Sequence, residues 1–262
     1  MGLRHAMESD HMQLSDEERE RYRWQIWTPA FGEPGQERLK AAHVFVSRAG
    51  GVGGTVALLL AAAGVGRLTL AHAGGLRVDD LNRQLLMSTA GVGKPRLETA
   101  AETLRRLNPH VELALIAENV TPDNAGRCMA DADVIVSAAP LIQERLLMNE
   151  QAVARGVPLV DCAMYDFEAR LLTVRPGASA CLACLYPEAP PHWTREFPVF
   201  GAVSSAIASL AAAEVIKLLS GIGAPLTNRL LLADLGRMSF STLEVARNPR
   251  CPACAPRDAR EP

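Results

Sequence analysis

Apolar and polar positions along the chain switch repeatedly between a strand period and a helix period. Residues 44–46 are a short β-favouring run, followed by Gly50, Gly51, Gly53 and Gly54 and then an apolar stretch over 56–63. That order predicts a buried strand, a tight turn and a helix stopped by Gly64. Residues 67–71 read as a second strand. Upstream, Ser15 with Glu18 three positions on is a capping box. It predicts a short helix carrying Arg19, Arg21 and Arg23 beside Tyr22, Trp24 and Trp27. Residues 29–35 read as a loop and 36–42 as a short helix. Apolar positions 97, 100, 104 and 107 predict a helix over 96–107, ended by Asn108-Pro109.

Beyond that helix the alternation continues. A strand is expected over 111–118, a helix over 121–130, a strand over 134–136, a helix over 144–154 and a strand from 158 to 161. From Asp166 the pattern turns β-rich, with strands over 169–174, 230–235 and 238–245 and a long small-residue helix over 201–219. That helix suits either a dimer seam or the core, and the core is the preferred reading. The expected fold is therefore α/β, a Rossmann-like and mostly parallel sheet with helices on both faces, plus a β-rich C-terminal part. Residues 1–14 are expected to be a disordered tail. Residues 15–262 form a single domain in this reading, with a nucleotide-cradle half at about 41–165 and a zinc-bearing, β-rich half at about 166–256.

The strand–glycine–helix unit directs a helix N-terminus at the turn, where backbone N–H groups and the helix dipole favour phosphate. The dinucleotide fingerprint is nevertheless not met. Arg48 stands where the first glycine belongs, and His72 where an acidic residue should end the second strand. An oxidoreductase reading therefore has little support.

Composition narrows the classes further. The 262 residues are 48% hydrophobic and 21% charged, ordinary for a folded domain with a substantial core. A formal net charge of −2 gives no reason to expect nucleic-acid or anionic-membrane partners. The polar start has no apolar signal-like region, and the stretch 197–213 is interrupted by Pro198 and too short for a membrane span. A cytoplasmic protein is expected. Four of the six cysteines form two pairs, Cys181-Leu-Ala-Cys184 and Cys251-Pro-Ala-Cys254. Four thiolates make a closed tetrahedral zinc site that staples the C-terminal segment to the domain. Dithiol redox motifs are the lesser reading, because neither pair is expected to open a helix. Cys162 and Cys128 read as buried hydrophobes rather than nucleophiles.

Several motifs carry a resemblance. They include Arg21-Tyr-Arg-Trp-Gln-Ile26, Leu81-Asn-Arg-Gln84, Val92-Gly-Lys-Pro95, Asn108-Pro109-His110 and the paired CxxC. Together, from about residue 15 to 254, the chain resembles the ThiF/MoeB/HesA family of ubiquitin-activating-enzyme-like proteins. The resemblance implies Mg-ATP binding and adenylation of the C-terminal glycine of a ubiquitin-like or sulfur-carrier protein, by a homodimer with a structural zinc. It places cofactor contacts at Gly50, Gly51, Gly53, Arg83, Gln84 and Arg96. It also exposes departures. Arg48 replaces the first glycine, His72 the ribose acid, Gly74 the next Asp, Asp80 an Asn and Arg96 a phosphate-binding Lys. Pro140 replaces the magnesium Asp, Trp24 the arginine given to the partner subunit, and Thr194 the cysteine that some members carry. These departures predict a member that has lost standard adenylation and acts as a binding partner, pairing with itself or with an active relative. The alternative is an active adenylyltransferase in which Asp80, Asp161 or Asp166 holds the metal.

Overall fold

The computed structural model describes residues 13–190 and 196–255. The expected tail falls mostly outside these, as does Thr194. The capping box forms as read. The Ser15 side chain accepts from the Glu18 N–H and the Glu18 carboxylate accepts from the Ser15 N–H, opening α1 (Asp16–Arg21), with α2 (Arg23–Ile26) directly after. Helix α3 runs Gly32–Ala41 and so begins inside the expected loop. Pro34 is no obstacle, because its missing N–H falls in the first turn, where that donor has no helical partner anyway.

Strand β1 (His43–Ser47) leads through the glycines into α4 (Gly51–Ala63). The helix thus starts within the glycine run, and Gly64 ends it in the left-handed conformation at φ 84°. β2 (Arg67–Ala71) and α5 (Arg96–Leu107) have the bounds expected from the sequence. β3 shortens to Glu112–Ile116. The helix expected over 121–130 shrinks to one turn, α6 (Ala125–Cys128), because Asn124 Oδ1 accepts from the Thr121 N–H and holds that segment in a turn. β4 (Val134–Ser137), α7 (Ile142–Arg155), β5 (Leu159–Tyr165), β6 (Glu168–Val174), the one-turn α8 (Leu182–Leu185), the long α9 (Gly201–Ser220), β7 (Arg229–Asp234) and β8 (Ser239–Glu244) complete the order.

All eight strands join one sheet, β3-β2-β1-β4-β5-β6-β7-β8. The first five are parallel and the last three antiparallel, so the β-rich part extends the same sheet. Helices cover both faces and bury two cores. One core holds Leu60, Leu68, Leu104 and Ile207, from α4, β2, α5 and α9. The other holds Phe45, Ile135, Met148 and Leu172, beside α6, α7 and α8. Helix α9 is long and apolar enough to cross a membrane by length and composition alone. Its buried residues pack on α4, β5 and β6, which is the role of a core helix.

Candidate functional site

Strand order reverses between β1 and β4, and in open α/β sheets ligands settle in the crevice beyond the strand C-termini at such a point. A cavity of about 480 Å³ lies there. Gly50, Gly51 and Val52 form its floor at the start of α4, and Asp80, Arg83, Gln84 and Arg96 form one wall. Arg48, His72 and Pro140 also line it. Gly53 stands behind the floor, where a Cβ would lie 2.3 Å from the Arg48 carbonyl oxygen and 2.6 Å from that of Ser47. Only glycine lets the helix and β1 approach this closely.

The polar wall is a connected network. Asp80 accepts from Gln84 Nε2 at 2.6 Å and from the Arg77 N–H at 3.0 Å, and it pairs with Arg96 at 3.0 Å and Arg83 at 3.3 Å. Burial works against the Asp80 carboxylate, but the Arg77 N–H and the Arg96 and Arg83 guanidinium groups outweigh it and hold its pKa below the ordinary value. Arg96 also donates to Gln84 Oε1 at 2.6 Å and to the Gly75 carbonyl at 2.8 Å.

Arg48 takes an unusual backbone shape, with φ 60°. A non-glycine residue there costs about 1–3 kcal/mol and persists only where its surroundings impose it. Its side chain supplies the reason. Nε donates to both Glu144 oxygens at 3.0 Å, Nη2 also donates to Glu144, and Nη1 donates to Asn119 Oδ1 at 2.6 Å. Asn119 Oδ1 accepts from the Ala73 N–H at 3.0 Å as well. The guanidinium thus spans from the loop beyond β3, past the end of β2, to the first turn of α7. No motif or periodicity marks Glu144 or Asn119 as a site residue. Each is an ordinary polar residue at an element end, and only the topology brings them to Arg48.

The remaining candidates divide clearly. Asp161 is buried against Arg145, which donates from Nε at 2.9 Å, and it accepts from Ser137 Oγ at 2.9 Å. Asp166 sits exposed in the β5–β6 turn at φ 54°. Cys162 is fully buried, and burial pushes its thiol pKa far up. Burial likewise raises that of Cys128. Trp24 is 79% exposed on α2, packed edge-to-face on Trp27, and is not among the cavity's lining residues. Tyr165, Phe197 and Arg170, none of them expected, line the far mouth, and Tyr165 stacks on Phe197 at 6.1 Å.

Cys181, Cys184, Cys251 and Cys254 converge, with all four sulfurs within 4.8 Å of one another. The Cys181–Cys184, Cys181–Cys251 and Cys184–Cys254 separations are 3.9, 3.6 and 3.5 Å. A tetrahedron with metal–sulfur bonds of about 2.3 Å has edges of about 3.8 Å, so the four thiols fit a metal. One expectation needs correcting. Cys181 does open a helix, the single turn of α8. The fit to a four-sulfur site nevertheless argues against an isolated redox pair.

The sequence model of the ThiF family matches residues 22–253. The chain belongs to the ThiF family. Protein HesA of Leptolyngbya boryana is 45% identical over 93% of this chain and 88% of its own length. The sulfur carrier protein adenylyltransferase of Thermus thermophilus is 40% identical over 93% of each. Among solved structures, E. coli MccB with MccA-N7isoASN superposes with a TM-score of 0.79 at 25% identity, over 86% of this chain and 72% of that one. This is therefore an adenylyltransferase-type ThiF fold whose four cysteines can hold a metal.

Proposed function

We propose that this chain is a ThiF-family member that has lost standard Mg-ATP adenylation and serves as a binding partner, recognising the tail of a ubiquitin-like or sulfur-carrier protein. The observation that carries this reading is the Arg48–Glu144–Asn119 bridge across the nucleotide crevice. Two further facts support it. Pro140 offers no side-chain oxygen where a magnesium carboxylate is expected, and Asp80 and Asp161 are already engaged by arginines. The residues present therefore do not fit Mg-ATP. Pyrophosphate exchange from ATP, run with a panel of small carrier proteins ending in glycine, should stay at background. Robust exchange with any of them would end the proposal.

The second reading is an active adenylyltransferase with altered ligands. The 40% identity to the sulfur carrier protein adenylyltransferase favours it, as does the presence of Arg83, Gln84 and Arg96 in one wall of the cavity. It requires Asp80, Asp161 or Asp166 to bind metal, so Asn at one of these positions should abolish AMP formation.

In this proposal Gly50, Gly51, Arg83, Gln84 and Arg96 remain as the phosphate-side contacts, Gly53 supports the turn from behind, and the cysteines hold a structural zinc. The chain forms a homodimer, or pairs with an active relative, through a surface that includes the exposed Trp24 and Trp27. The cytoplasm suits it, because thiolates stay reduced there. Light scattering of the purified protein, compared with a Trp24→Ala variant, reads the assembly directly.

A further inference from the structure

The two cysteine pairs are held differently. In the second pair the backbone turns back onto its own sulfur, the Cys254 N–H donating to Cys251 Sγ at 3.5 Å. In the first pair the equivalent N–H, that of Cys184, donates to the Cys181 carbonyl at 3.0 Å, because Cys181 caps the single turn of α8. The Cys181 sulfur takes a donor from another helix. Asn149, on α7, reaches it with Nδ2 at 3.6 Å.

Asn149 is fully buried, and its Oδ1 accepts from the Leu182 N–H at 2.9 Å. A backbone N–H can only donate, so the amide oxygen must face Leu182 and the amide nitrogen must face the sulfur. The carboxamide is thereby fixed at both ends on the two residues that open α8. Its own helix is fixed as well. Arg145, one turn earlier on the same face of α7, donates from Nε to Asp161 of β5 at 2.9 Å. Sheet, Arg145, α7 and Asn149 thus form one frame that sets where Cys181 stands.

Metal ligation requires the thiolate, and a hydrogen bond to an ionised acceptor is about twice as strong as one between neutral groups. Groups behind the ligands orient them and share their charge, and losing one typically costs about 10–100-fold in affinity. Cys184 Sγ accepts from the Asn248 backbone N–H at 3.4 Å and Cys251 Sγ from that of Cys254. Of these three sulfur contacts, that of Asn149 alone comes from a side chain.

We propose that Asn149 is the positioning residue of the cysteine cluster, holding the Cys181 thiolate in place and sharing its charge from a helix anchored to the sheet. The proposal rests on the reading that the four cysteines hold a metal, and it adds the residue outside the ligand set that prepares them.

The full chain tests it with zinc, measured by competition against a chromophoric chelator, and with cobalt(II) as a spectroscopic probe. Asn149→Asp keeps the acceptor for the Leu182 N–H and removes the donor to sulfur. It should lower zinc affinity by about 10–100-fold. It should also move the sulfur-to-cobalt charge-transfer band to lower energy, since a thiolate without its hydrogen bond gives up charge more readily. Asn108→Asp makes the same change at another buried amide, one bonded to Tyr22 and the Ala61 carbonyl. It should leave the band unmoved and the zinc affinity within about twofold of wild type, which separates positioning from general loosening of the fold. Should Asn149→Asp not fold, Asn149→Ala gives the same two readings. An unmoved band with unchanged affinity at position 149, or equal losses at 149 and 108, would overturn the proposal while leaving the metal site standing. A wild-type chain that binds neither zinc nor cobalt would remove the metal reading itself, and this proposal with it.

Discussion

Arg48 Nε lies 3.0 Å from both carboxylate oxygens of Glu144, 96 positions away in sequence, and both side chains are almost fully buried. A pair like this is costly to break from one end, because the surviving charge stays in low dielectric. Glu144→Ala should therefore destabilise the fold by about 3–5 kcal/mol, a fall in Tm of about 10 °C in a chain of this size. Glu144→Gln keeps an acceptor for the guanidinium and should lose less. Thermal unfolding of the two variants beside the wild type reads the difference, and equal losses would contradict the pairing.

The glycines of the turn are not equivalent. At Gly53 a Cβ would meet two backbone carbonyl oxygens at 2.3 and 2.6 Å, whereas at Gly51 the nearest atom is Ser204 Oγ at 3.2 Å. Backbone cannot step aside as a hydroxyl can. Gly53→Ala should cost about 3 kcal/mol, near the top of the usual range for overpacking, and Gly51→Ala under about 1 kcal/mol. Urea midpoints of the two variants give the comparison.

Acid should weaken the wall around Asp80. Its folded-state pKa is lowered, so the stability it contributes is present above its unfolded value and disappears as pH falls through the folded one. The stability gap between wild type and Asp80→Asn should thus be constant near neutrality and shrink below about pH 4. A urea series from pH 7 to about pH 3 measures this, and a gap that widens in acid would refute the assignment.

Metal removal should be severe. Four converging thiols predict one zinc per chain, released stoichiometrically on denaturation in the presence of a colorimetric chelator. Cys251→Ser should bind metal weakly and unfold at a markedly lower temperature, because binding energy at such a site contributes directly to folding.

Much of the fold is legible from local pattern. The Arg67–Ala71 strand and the Arg96–Leu107 helix are marked by dense apolar periodicity with clear stops, and both have the expected bounds. The start of α3 is hidden because Pro34 signals a break everywhere except in a first turn. The segment over 121–130 looks helical by composition, yet Asn124 satisfies its backbone as a turn. The site is legible only in part. Arg48, His72 and Pro140 stand out as residues against type, but the partners that explain Arg48 come from the loop beyond β3 and from α7. No periodicity joins Asn119 or Glu144 to a glycine turn, since the parallel crossovers bring them together only after the sheet is built.

The sulfur cluster also sets a timetable for biosynthesis. Cys181 and Cys184 leave the ribosome well before Cys251 and Cys254, which follow β8. A nascent chain can assemble the parallel strands early, but its knuckle stays half-made until every strand has emerged. During that interval two thiols are open to capture by the wrong metal or by oxidation, so cells starved of zinc should accumulate this protein as an unclosed, protease-sensitive form.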